Sequence, residues 1–539
     1  MVGLGGEFGA LNWTILVVYI VANLALGYFL GKKIHTANDF FLGDRSTPWW
    51  AIGISVVATY VSALSFLGGP AWSYTSGLSV IAIHLNYPIV IFLVITLFLP
   101  FFYNSGVASI YDYQERRFGP TARSVMSLIF LISQALSSAA VLYATSLVLQ
   151  FITGIDVVQA IVIVTIVALI YTAMGGIAAV IWTDVIQAGI LLIGAGIIFF
   201  ALLDQLPLSL GETLVELKAA GKTNALNFSF DWTEEATIWS GVIAMTLYHA
   251  TVYGGNQMMV QRTLAAKNIG DAKKSYLMMG FAAFFIYFLF FFLGILFYSY
   301  YGGREFENGN TIILQFAADI GIPGLMGILA AAVMAASMSS LDSAFNSLAT
   351  VSTVDFYQKY FRRDETPEHY LKTSRIFTFV WALIIIVPAI LYAQSEGSIL
   401  QTLTKVGSYF VGAKLSMYAL GFFSKHTTEK GLLVGVAVGF GVIWFVATKT
   451  DIAWPWYCAI GAAVNMAVSF VCSLLIDGPQ KEYSPYSVKG QAMRFAAEGT
   501  VQKDRGWYVV PGKVDPISYL LLVFLALNLL LLFGLDKLI

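Results

Sequence analysis

The chain has 539 residues, of which 58% are hydrophobic and only 11% are charged, so it cannot be a soluble globular protein, in which about a quarter of the residues carry a charge. Its net charge of −1 and the lack of a basic tract argue against nucleic-acid binding. The two cysteines, Cys458 and Cys472, lie in one apolar segment and give no support to disulfides or to a cysteine zinc site. The composition predicts a polytopic membrane protein.

Apolar runs long enough to cross about 30 Å of hydrocarbon define the predicted architecture. The first run has no basic segment before it and no small-residue cleavage site after it, which indicates a span that is retained. The fifth and sixth runs are separated only by a short break at Trp182 and Thr183. The predicted spans, about fourteen in all, cover residues 12–31, 49–74, 78–101, 124–153, 156–181, 184–203, 236–262, 275–300, 325–358, 373–394, 398–424, 430–448, 455–476 and 516–536.

Lys and Arg are unequally distributed between the two sides of this predicted bundle. If the N-terminus is outside, 23 of them lie in inward connections, 5 in outward ones and 2, Lys405 and Lys414, within a span. This bias follows the positive-inside rule, so both termini are predicted to be extracytoplasmic in a multi-pass cell-membrane protein. The longest connections, 204–235, 301–324 and 477–515, are too short for a soluble domain. Because HExxH, GxSxG and P-loop patterns are also missing, the sequence does not indicate an enzyme.

Two spans are interrupted by glycine and other small residues. The second reads GISVVATYVSALSFLGGP and ends at Pro70, and the seventh reads IAMTLYHATVYGGNQ and ends at Gln257. Each leads a set of five spans, and because five is odd the two sets must be inserted in opposite senses. This arrangement predicts an inverted repeat led by broken helices, with solute and ions bound near the bilayer midplane. The alternative is that the glycines only permit close helix packing. The predicted divisions are a first peripheral span and inner loop (1–48), the first repeat (49–203), an extracellular loop (204–235), the second repeat (236–424) and peripheral C-terminal spans (425–539).

Residues 327–357 form an apolar run that carries hydroxyl groups and a carboxylate. Ser339, Ser340, Asp342 and Ser343 crowd one turn of it. Oxygen-bearing side chains can replace the hydration shell of Na⁺, and an ionisable residue within a span indicates a functional site. The alternative is close packing of small residues, with the serines bonded back to their own helix.

Several long, collinear runs resemble the sodium:solute symporter family, whose core is the leucine-transporter fold. They are DFFLGDRSTPWWAIGISVVATYVSALSF from Asp39, YTAMGGIAAVIWTDVIQ from Tyr171, GGNQMMVQRTLAAKN from Gly254 and SSLDSAFNSLATVSTVDFY from Ser339. The resemblance implies an all-α membrane protein with a 5+5 inverted-repeat core. It also implies import of a small organic solute by alternating access, driven by Na⁺ as a co-transported ion and without a cofactor.

The resemblance further implies where sodium binds. The first site uses backbone carbonyls of the broken first core helix together with one carbonyl and two hydroxyls of the eighth. Sialic-acid members of the family have a second site, and here one of its serines is replaced by Asp342. The implied ligands are Ala58, Val61, Ala336, Ser339 and Ser340 for the first site, and Asp184, Ser339, Asp342 and Ser343 for the second.

The solute stays open among a sugar, a sialic acid, a monocarboxylate, a vitamin and an amino acid, because the solute positions fit no branch of the family well. In the sialic-acid branch an arginine occupies the position that an ungapped match assigns to Ser137. His84 and His249 lie mid-span, where an imidazole offers one donor and one acceptor to a solute or to a neighbouring helix. The predicted solute-facing residues are Ser62, Ser65, His84, Asn86, His249, Tyr253 and Lys414.

Lys414 lies too deep in its span for an interfacial lysine and needs a counter-charge. Either a solute carboxylate or Asp342 can supply it, and we favour Asp342 because the two core helices can meet. The expected partners are Na⁺, the solute and membrane lipids, with no nucleic acid. Two other functions stay open, H⁺-coupled transport and a solute sensor on a transporter scaffold, although a sensor would need a signalling module.

Overall fold

The computed structural model describes residues 8–31, 47–105, 110–394, 397–499 and 502–538, so the predicted inner loop at 32–46 lies outside the described residues. Within the described ranges, 10 helices are long and apolar enough to cross a membrane, or 11 if a bent pair of helices counts as one span. The prediction of an all-α membrane protein is confirmed. The predicted number of spans, about fourteen, is not reached among these residues.

The first half of the chain contains one peripheral helix, the helices of the first predicted repeat and one helix of the predicted loop 204–235. Its α-helices are α1 (Gly9–Gly31), α2 (Trp49–Tyr60), α3 (Gly69–Ser76), α4 (Tyr87–Leu93), α5 (Leu99–Ser105), α6 (Ile110–Arg117), α7 (Pro120–Thr153), α8 (Val157–Gln205) and α9 (Leu210–Ala219). Its other helical turns are π-helices at Leu64–Gly68 and Val94–Phe98 and a 3-10 helix at Leu78–His84.

The second half contains the second predicted repeat and the C-terminal helices. Its α-helices are α10 (Met245–Gly254), α11 (Gln257–Leu264), α12 (Ile269–Tyr300), α13 (Ile312–Ile320), α14 (Leu325–Val351), α15 (Pro367–Tyr392), α16 (Ile399–Phe423), α17 (Glu429–Lys449), α18 (Pro455–Asp477), α19 (Val488–Ala497) and α20 (Tyr519–Leu538). Its remaining elements are π-helices at Ser240–Ala244 and Ser352–Phe361, 3-10 helices at Gly309–Thr311 and Pro516–Ser518, and an antiparallel hairpin of β1 (Lys503–Asp504) and β2 (Trp507–Tyr508).

The predicted break at Trp182 and Thr183 is wrong. Both residues lie inside α8, which runs without interruption for 49 residues. Neither residue is a glycine or a proline, so neither removes a backbone hydrogen-bond donor or interrupts the hydrogen bonding of the helix. Thr183 satisfies its own hydroxyl by donating to Val180 O at 2.9 Å. The predicted spans 156–181 and 184–203 are therefore parts of one helix.

The interruption predicted in the second span is present. The segments 49–59 and 64–76 are bent by 52° relative to each other. Pro70 occupies the first turn of α3, where a backbone N–H would have no partner within the helix, so the missing N–H of proline costs no hydrogen bond. Gly68 allows the bend to pack closely, since a Cβ there would lie 2.8 Å from the backbone nitrogen of Leu400.

The second predicted interruption is also present, between α10 and α11. Gly254 and Gly255 bring the backbone directly against aromatic rings, since a Cβ on Gly254 would lie 2.5 Å from Phe98 and one on Gly255 would overlap Tyr418. The Tyr418 hydroxyl donates to the freed carbonyl of Gly255 at 2.9 Å. These glycines serve both the close packing and the helix break, so the two readings of the sequence are not exclusive.

Helix α14, with its hydroxyl groups, occupies the centre of the bundle. It packs against α1, α7, α8 and α15. In the most apolar window of α14 and its π-helical extension, 94% of the residues are buried, against 22% for the window that contains α20. The polar groups of α14 therefore face protein and not lipid, which is where polar groups within a membrane are tolerated.

Candidate functional site

The first part of the site is the backbone between α2 and the π-helical turn. The backbone hydrogen bonds of α2 end with the one from Val61 N to Val57 O at 2.9 Å. They resume with the bond from Ser65 N to Ser62 O at 3.0 Å, and Ser62 Oγ accepts the N–H of Leu64 at 3.3 Å. The carbonyls at the end of a helix have no partner within it. The last carbonyls of α2 are therefore presented to the neighbouring helix.

Ser340 on α14 faces this interruption. Its hydroxyl donates to Thr59 O at 3.1 Å and lies 3.3 Å from Ala336 O in its own helix. The other predicted ligands of the first sodium site, Ala58, Val61 and Ala336, are also buried. The predicted ligand Ser339 has a side chain that lies outside the described part of the chain. The structure thus joins α14 to the end of α2, while sodium ligation itself stays a prediction.

The predicted second sodium site contains a guanidinium group. Arg262 on α11 forms an ion pair with Asp184 at 3.0 Å and donates to Ser343 Oγ at 2.5 Å and to Ser55 Oγ at 2.8 Å. Ser55 also hydrogen-bonds to Asp184. Arg262 is one of the residues counted in the inward connections, and only 1% of its side chain is exposed. A buried carboxylate such as Asp184 needs a cation, and Arg262 supplies it.

Asp342 does not act as the counter-charge of Lys414. Among the residues that the structure describes, no ion pair joins the two side chains. Asp342 is fully buried and acts electrostatically on Tyr19 of α1. Our expectation of a Lys414–Asp342 pair is therefore wrong. The two helices belong to the same core, but Asp342 lies on the side of α14 that approaches α1.

A central cavity of about 140 Å³ lies between the two interrupted helices, α7, α12 and α16. An engineered protein cavity of about 150 Å³ holds one benzene molecule, so this volume suits a small organic molecule. Thr59 and Ser340 line the cavity, which therefore adjoins the end of α2. Five of the seven predicted solute-facing residues line it, namely Ser62, His84, His249, Tyr253 and Lys414.

Lys414 contributes a positive charge to the cavity wall. Its Nζ donates to Ser133 Oγ of α7 at 2.6 Å and lies 5.8 Å from the centre of the Phe130 ring. Within the described ranges of the chain, no carboxylate lies at ion-pair distance from this ammonium group. Ser133 is neutral, and the charge is therefore matched only by hydrogen bonding and the ring face.

A stack of polar aromatic rings forms another part of the wall. The rings of His84 and Tyr287 are stacked with centroids 3.8 Å apart and planes within 9°. Tyr87 stacks on His249 at 4.9 Å, and its hydroxyl lies 3.0 Å from His84 Nδ1. These rings present flat apolar faces and polar edges to the same cavity. They can hold a small solute by contact while its polar groups bond the ring edges.

The remaining two predicted solute-facing residues, Ser65 and Asn86, are not among the residues that line the cavity. The Ser65 hydroxyl donates to the Tyr287 hydroxyl at 3.3 Å. Asn86 Oδ1 lies 2.7 Å from His249 Nδ1. Each residue therefore contacts a ring of the wall from behind. The structure thus places these two side chains next to the cavity-lining rings of Tyr287 and His249 and not in the cavity lining itself.

A polar stripe on α7 was not predicted from the sequence. Its members follow the spacing i, i+1, i+4 and i+5, which places them on one face of a helix. In an otherwise apolar span, this periodicity is the signal that could have identified them. The cavity-lining members are Ser133, Gln134, Ser137 and Ser138.

Comparison with known proteins gives a consistent result. The sequence model of the sodium:solute symporter family matches residues 40–439. The sodium/sialic acid symporter NanT of Aliivibrio fischeri is 30% identical over 472 residues, which cover 86% of this chain and 93% of that protein. The sodium-coupled monocarboxylate transporter 1 of Homo sapiens is 29% identical over 463 residues, which cover 84% of this chain and 75% of that protein.

A solved structure matches the fold over most of the chain. It is that of a Na⁺-coupled sialic acid symporter in a substrate-bound outward-open state. The TM-score is 0.80 with 28% sequence identity, and the match covers 88% of this chain and 100% of that one.

Proposed function

Because the chain belongs to the sodium:solute symporter family and is a sodium-coupled symporter of a small organic solute, we propose that its solute is an anion bound in the central cavity. The observation that carries this proposal is the position of Lys414, whose ammonium group lines the cavity without a carboxylate at ion-pair distance among the described residues. A charge buried in a membrane protein needs a partner. A carboxylate on the solute would supply that partner.

The surroundings of Lys414 support the same conclusion. Its hydrogen-bond partner Ser133 lies one helical turn from Ser137, the position of the arginine in the sialic-acid branch. In this chain the positive charge would come from α16 instead of α7. A lysine is a compact point charge and an arginine a planar fork, so the carboxylate would be held in a different geometry. A solute other than sialic acid therefore fits the cavity better, and a small carboxylate is the class that we favour.

The first sodium ion would bind where α14 meets the end of α2. Its ligands would be the carbonyls of Ala58, Val61 and Ala336 and the hydroxyls of Ser339 and Ser340. Two observations support this site: the contact of Ser340 with Thr59, and the position of both residues on the cavity wall. An ion at this site would hold α14 against α2 next to the solute. Binding of one would then favour binding of the other, which is the reciprocal coupling that symport requires.

A second ion would have to share its oxygens with Arg262. The guanidinium group already bonds Asp184 and Ser343, two of the ligands that the sialic-acid branch implies. We therefore assign one Na⁺ to each transport cycle. With one Na⁺ and one monovalent anion per cycle no net charge crosses the membrane, so the Na⁺ concentration gradient, and not the membrane potential, would drive uptake.

The topology of the chain is part of the proposal. The distribution of Lys and Arg supports extracytoplasmic positions for both termini. The two helix interruptions support inverted repeats at 49–203 and 236–424, flanked by peripheral segments at 1–48 and 425–539 and separated by the extracellular loop 204–235. Labelling of single cysteines at each end of the chain in intact cells tests the orientation, and labelling that requires permeabilised cells would contradict it.

A thermal-shift screen tests the anionic solute. The purified protein is screened against sugars, sialic acids, monocarboxylates, amino acids and vitamins in matched Na⁺ and K⁺ buffers. We expect a carboxylate to raise the melting temperature in Na⁺ only, because ligands stabilise the state that they bind. Lys414→Met should lose this shift. The control Lys405→Met should keep it, because Lys405 lies on the same helix but is exposed. Stabilisation by a neutral sugar that survives Lys414→Met would overturn the proposal.

A further inference from the structure

His249 forms one side of the cavity, and its role as inferred below rests on the proposed function. His249 is 5% exposed and lines the cavity, and Asn86 contacts it from behind. Asn86 Oδ1 lies 2.7 Å from His249 Nδ1, and Asn86 itself is fully buried. A residue that does not touch the cavity thus determines the hydrogen bonding of one that does.

The orientation of the Asn86 amide follows from its neighbours. Its Nδ2 donates to Ile83 O and to Gly241 O, both at 2.9 Å. Two carbonyl oxygens can only accept hydrogen bonds, so the NH₂ group must face them. The amide oxygen then faces His249. Because a carbonyl oxygen can only accept, His249 Nδ1 must carry a hydrogen and donate it.

The tautomer of His249 has a direct consequence for the cavity. In a neutral imidazole one nitrogen is a donor and the other an acceptor. With its hydrogen on Nδ1, His249 keeps a lone pair on Nε2. Within the part of the chain that the structure describes, that nitrogen has no hydrogen-bond partner. The wall at this point therefore offers an acceptor.

We propose that Asn86 is a positioning residue that holds His249 in the Nδ1–H tautomer, so that His249 Nε2 selects solutes with an O–H or N–H donor. Together with Lys414, this names the class of solute as a small carboxylate that also carries a hydrogen-bond donor, such as a hydroxy acid. A hydroxyl can donate to Nε2, whereas a keto oxygen at the same place can only accept and would face a lone pair.

A second histidine supports a ligand at this wall independently. His84 is 3% exposed and lines the same cavity. Its Nδ1 lies 3.0 Å from the Tyr87 hydroxyl, but its Nε2 is buried without a hydrogen-bond partner among the described residues. Buried polar atoms in folded proteins are almost always hydrogen-bonded. A solute with a polar group at this edge would satisfy His84 Nε2.

The tautomer can be observed directly by nitrogen-15 NMR of histidine-labelled protein in lipid bilayers. His249→Gln identifies the His249 signals. In the wild type we expect a protonated Nδ1 and an unprotonated Nε2, and in Asn86→Leu a mixture or the reverse. A purely structural role of Asn86 would leave the tautomer unchanged. A proton on Nε2 in the wild type, alone or together with one on Nδ1, would overturn the inference whatever the solute.

Selectivity tests the consequence. Binding is measured in Na⁺ for lactate, pyruvate and propionate, and for the larger set mandelate, benzoylformate and phenylacetate. In at least one set we expect the hydroxy acid to bind roughly tenfold more tightly than the oxo acid, the loss typical of an unsatisfied polar contact. Asn86→Leu should reduce this preference. If Asn86→Leu does not fold, His249→Gln, whose amide oxygen can accept, should keep the preference and His249→Phe should lose it.

The outcomes separate this inference from the proposed function. Na⁺-dependent binding of hydroxy, oxo and deoxy acids with equal affinity would overturn the inference and leave the anionic solute intact. Failure of all the acids to bind in Na⁺ would contradict the anionic solute and the donor requirement, while the tautomer would still be decided by NMR.

Discussion

Removal of the Ser340 hydroxyl is the perturbation that most sharply separates a sodium site from helix packing. In the structure this hydroxyl bridges α14 to Thr59 O at 3.1 Å and lies 3.3 Å from Ala336 O. If an ion binds here, Ser340→Ala removes one of its ligands and leaves it partly dehydrated. If the contact serves only packing, the substitution is nearly isosteric and should not change how the protein responds to Na⁺.

The expected size of the effect follows from the single contact that is lost. An unmade bond to a buried polar or charged group costs about 1–3 kcal/mol. That range corresponds to a roughly 5- to 150-fold increase in the Na⁺ concentration for half-maximal uptake. The solute cavity keeps its other walls, so saturating Na⁺ should restore most of the solute affinity, as reciprocal coupling requires.

Uptake by proteoliposomes across a Na⁺ titration measures this effect. The matched control is Ser337→Ala, since Ser337 lies on the same helix, is fully buried, and donates to Val333 O at 2.8 Å within its own helix. It should keep the wild-type half-saturation. If Ser340→Ala also keeps the wild-type value, or if both variants shift equally, the sodium site is not at this position.

Three further results are expected. Arg262→Gln should destabilise the folded protein by about 3–5 kcal/mol, because it leaves the Asp184 carboxylate buried without its cation. Combining Arg262→Gln with Asp184→Asn should recover part of the loss in melting temperature. An unchanged melting temperature in Arg262→Gln alone would refute the ion pair. Wild-type uptake should rise with Na⁺ with a Hill coefficient near one, whereas a value near two would indicate a second ion. Gly255→Ala should cost about 1–3 kcal/mol of stability because a Cβ would overlap Tyr418. The control is Gly189→Ala in α8, where a Cβ would meet open space, and it should stabilise the protein by about 0.5–1 kcal/mol.

Local sequence patterns were sufficient to predict the interruptions of the two core helices. At the first, Gly68, Gly69 and Pro70 gave the signal, and the bend of 52° lies just before them, between the segments 49–59 and 64–76. At the second, Gly254 and Gly255 give the same signal, and both positions are close to neighbouring rings. The break at Trp182 was inferred only from the length of an apolar run, without a residue that opens a helix, and it is wrong.

The partners of buried charges could not be predicted from the sequence, because they depend on which helix faces meet. Arg262 follows a glycine-rich segment and precedes Lys267, so in sequence it belongs to a basic inner connection. In the structure it is directed into the core and pairs with Asp184. Lys414 and Asp342 lie on core helices, but their side chains face different neighbours. Periodicity within a helix does not determine such pairings between helices.

The solute-facing residues were partly predictable, since a histidine or a lysine within an apolar span indicates a functional position. His84, His249 and Lys414, selected in this way, line the central cavity. Asn86 was also predicted to face the solute, but in the structure it contacts the cavity-lining ring of His249 and does not line the cavity itself. Distinguishing these cases needs the positions of the tyrosine and histidine rings, which depend on packing between α4, α10 and α12.

The central claim is that Na⁺ drives accumulation of an anionic solute held by Lys414. Uptake of a small radiolabelled carboxylate by proteoliposomes, with an inward Na⁺ gradient or an equal K⁺ gradient, measures it directly for the wild type, Lys414→Met and Lys405→Met. The account predicts concentrative uptake in Na⁺ alone for the wild type and Lys405→Met, and at least a tenfold loss of solute affinity in Lys414→Met, which removes a charge-assisted contact. Equal uptake in Na⁺ and K⁺, or equal solute affinity in all three proteins, would contradict it.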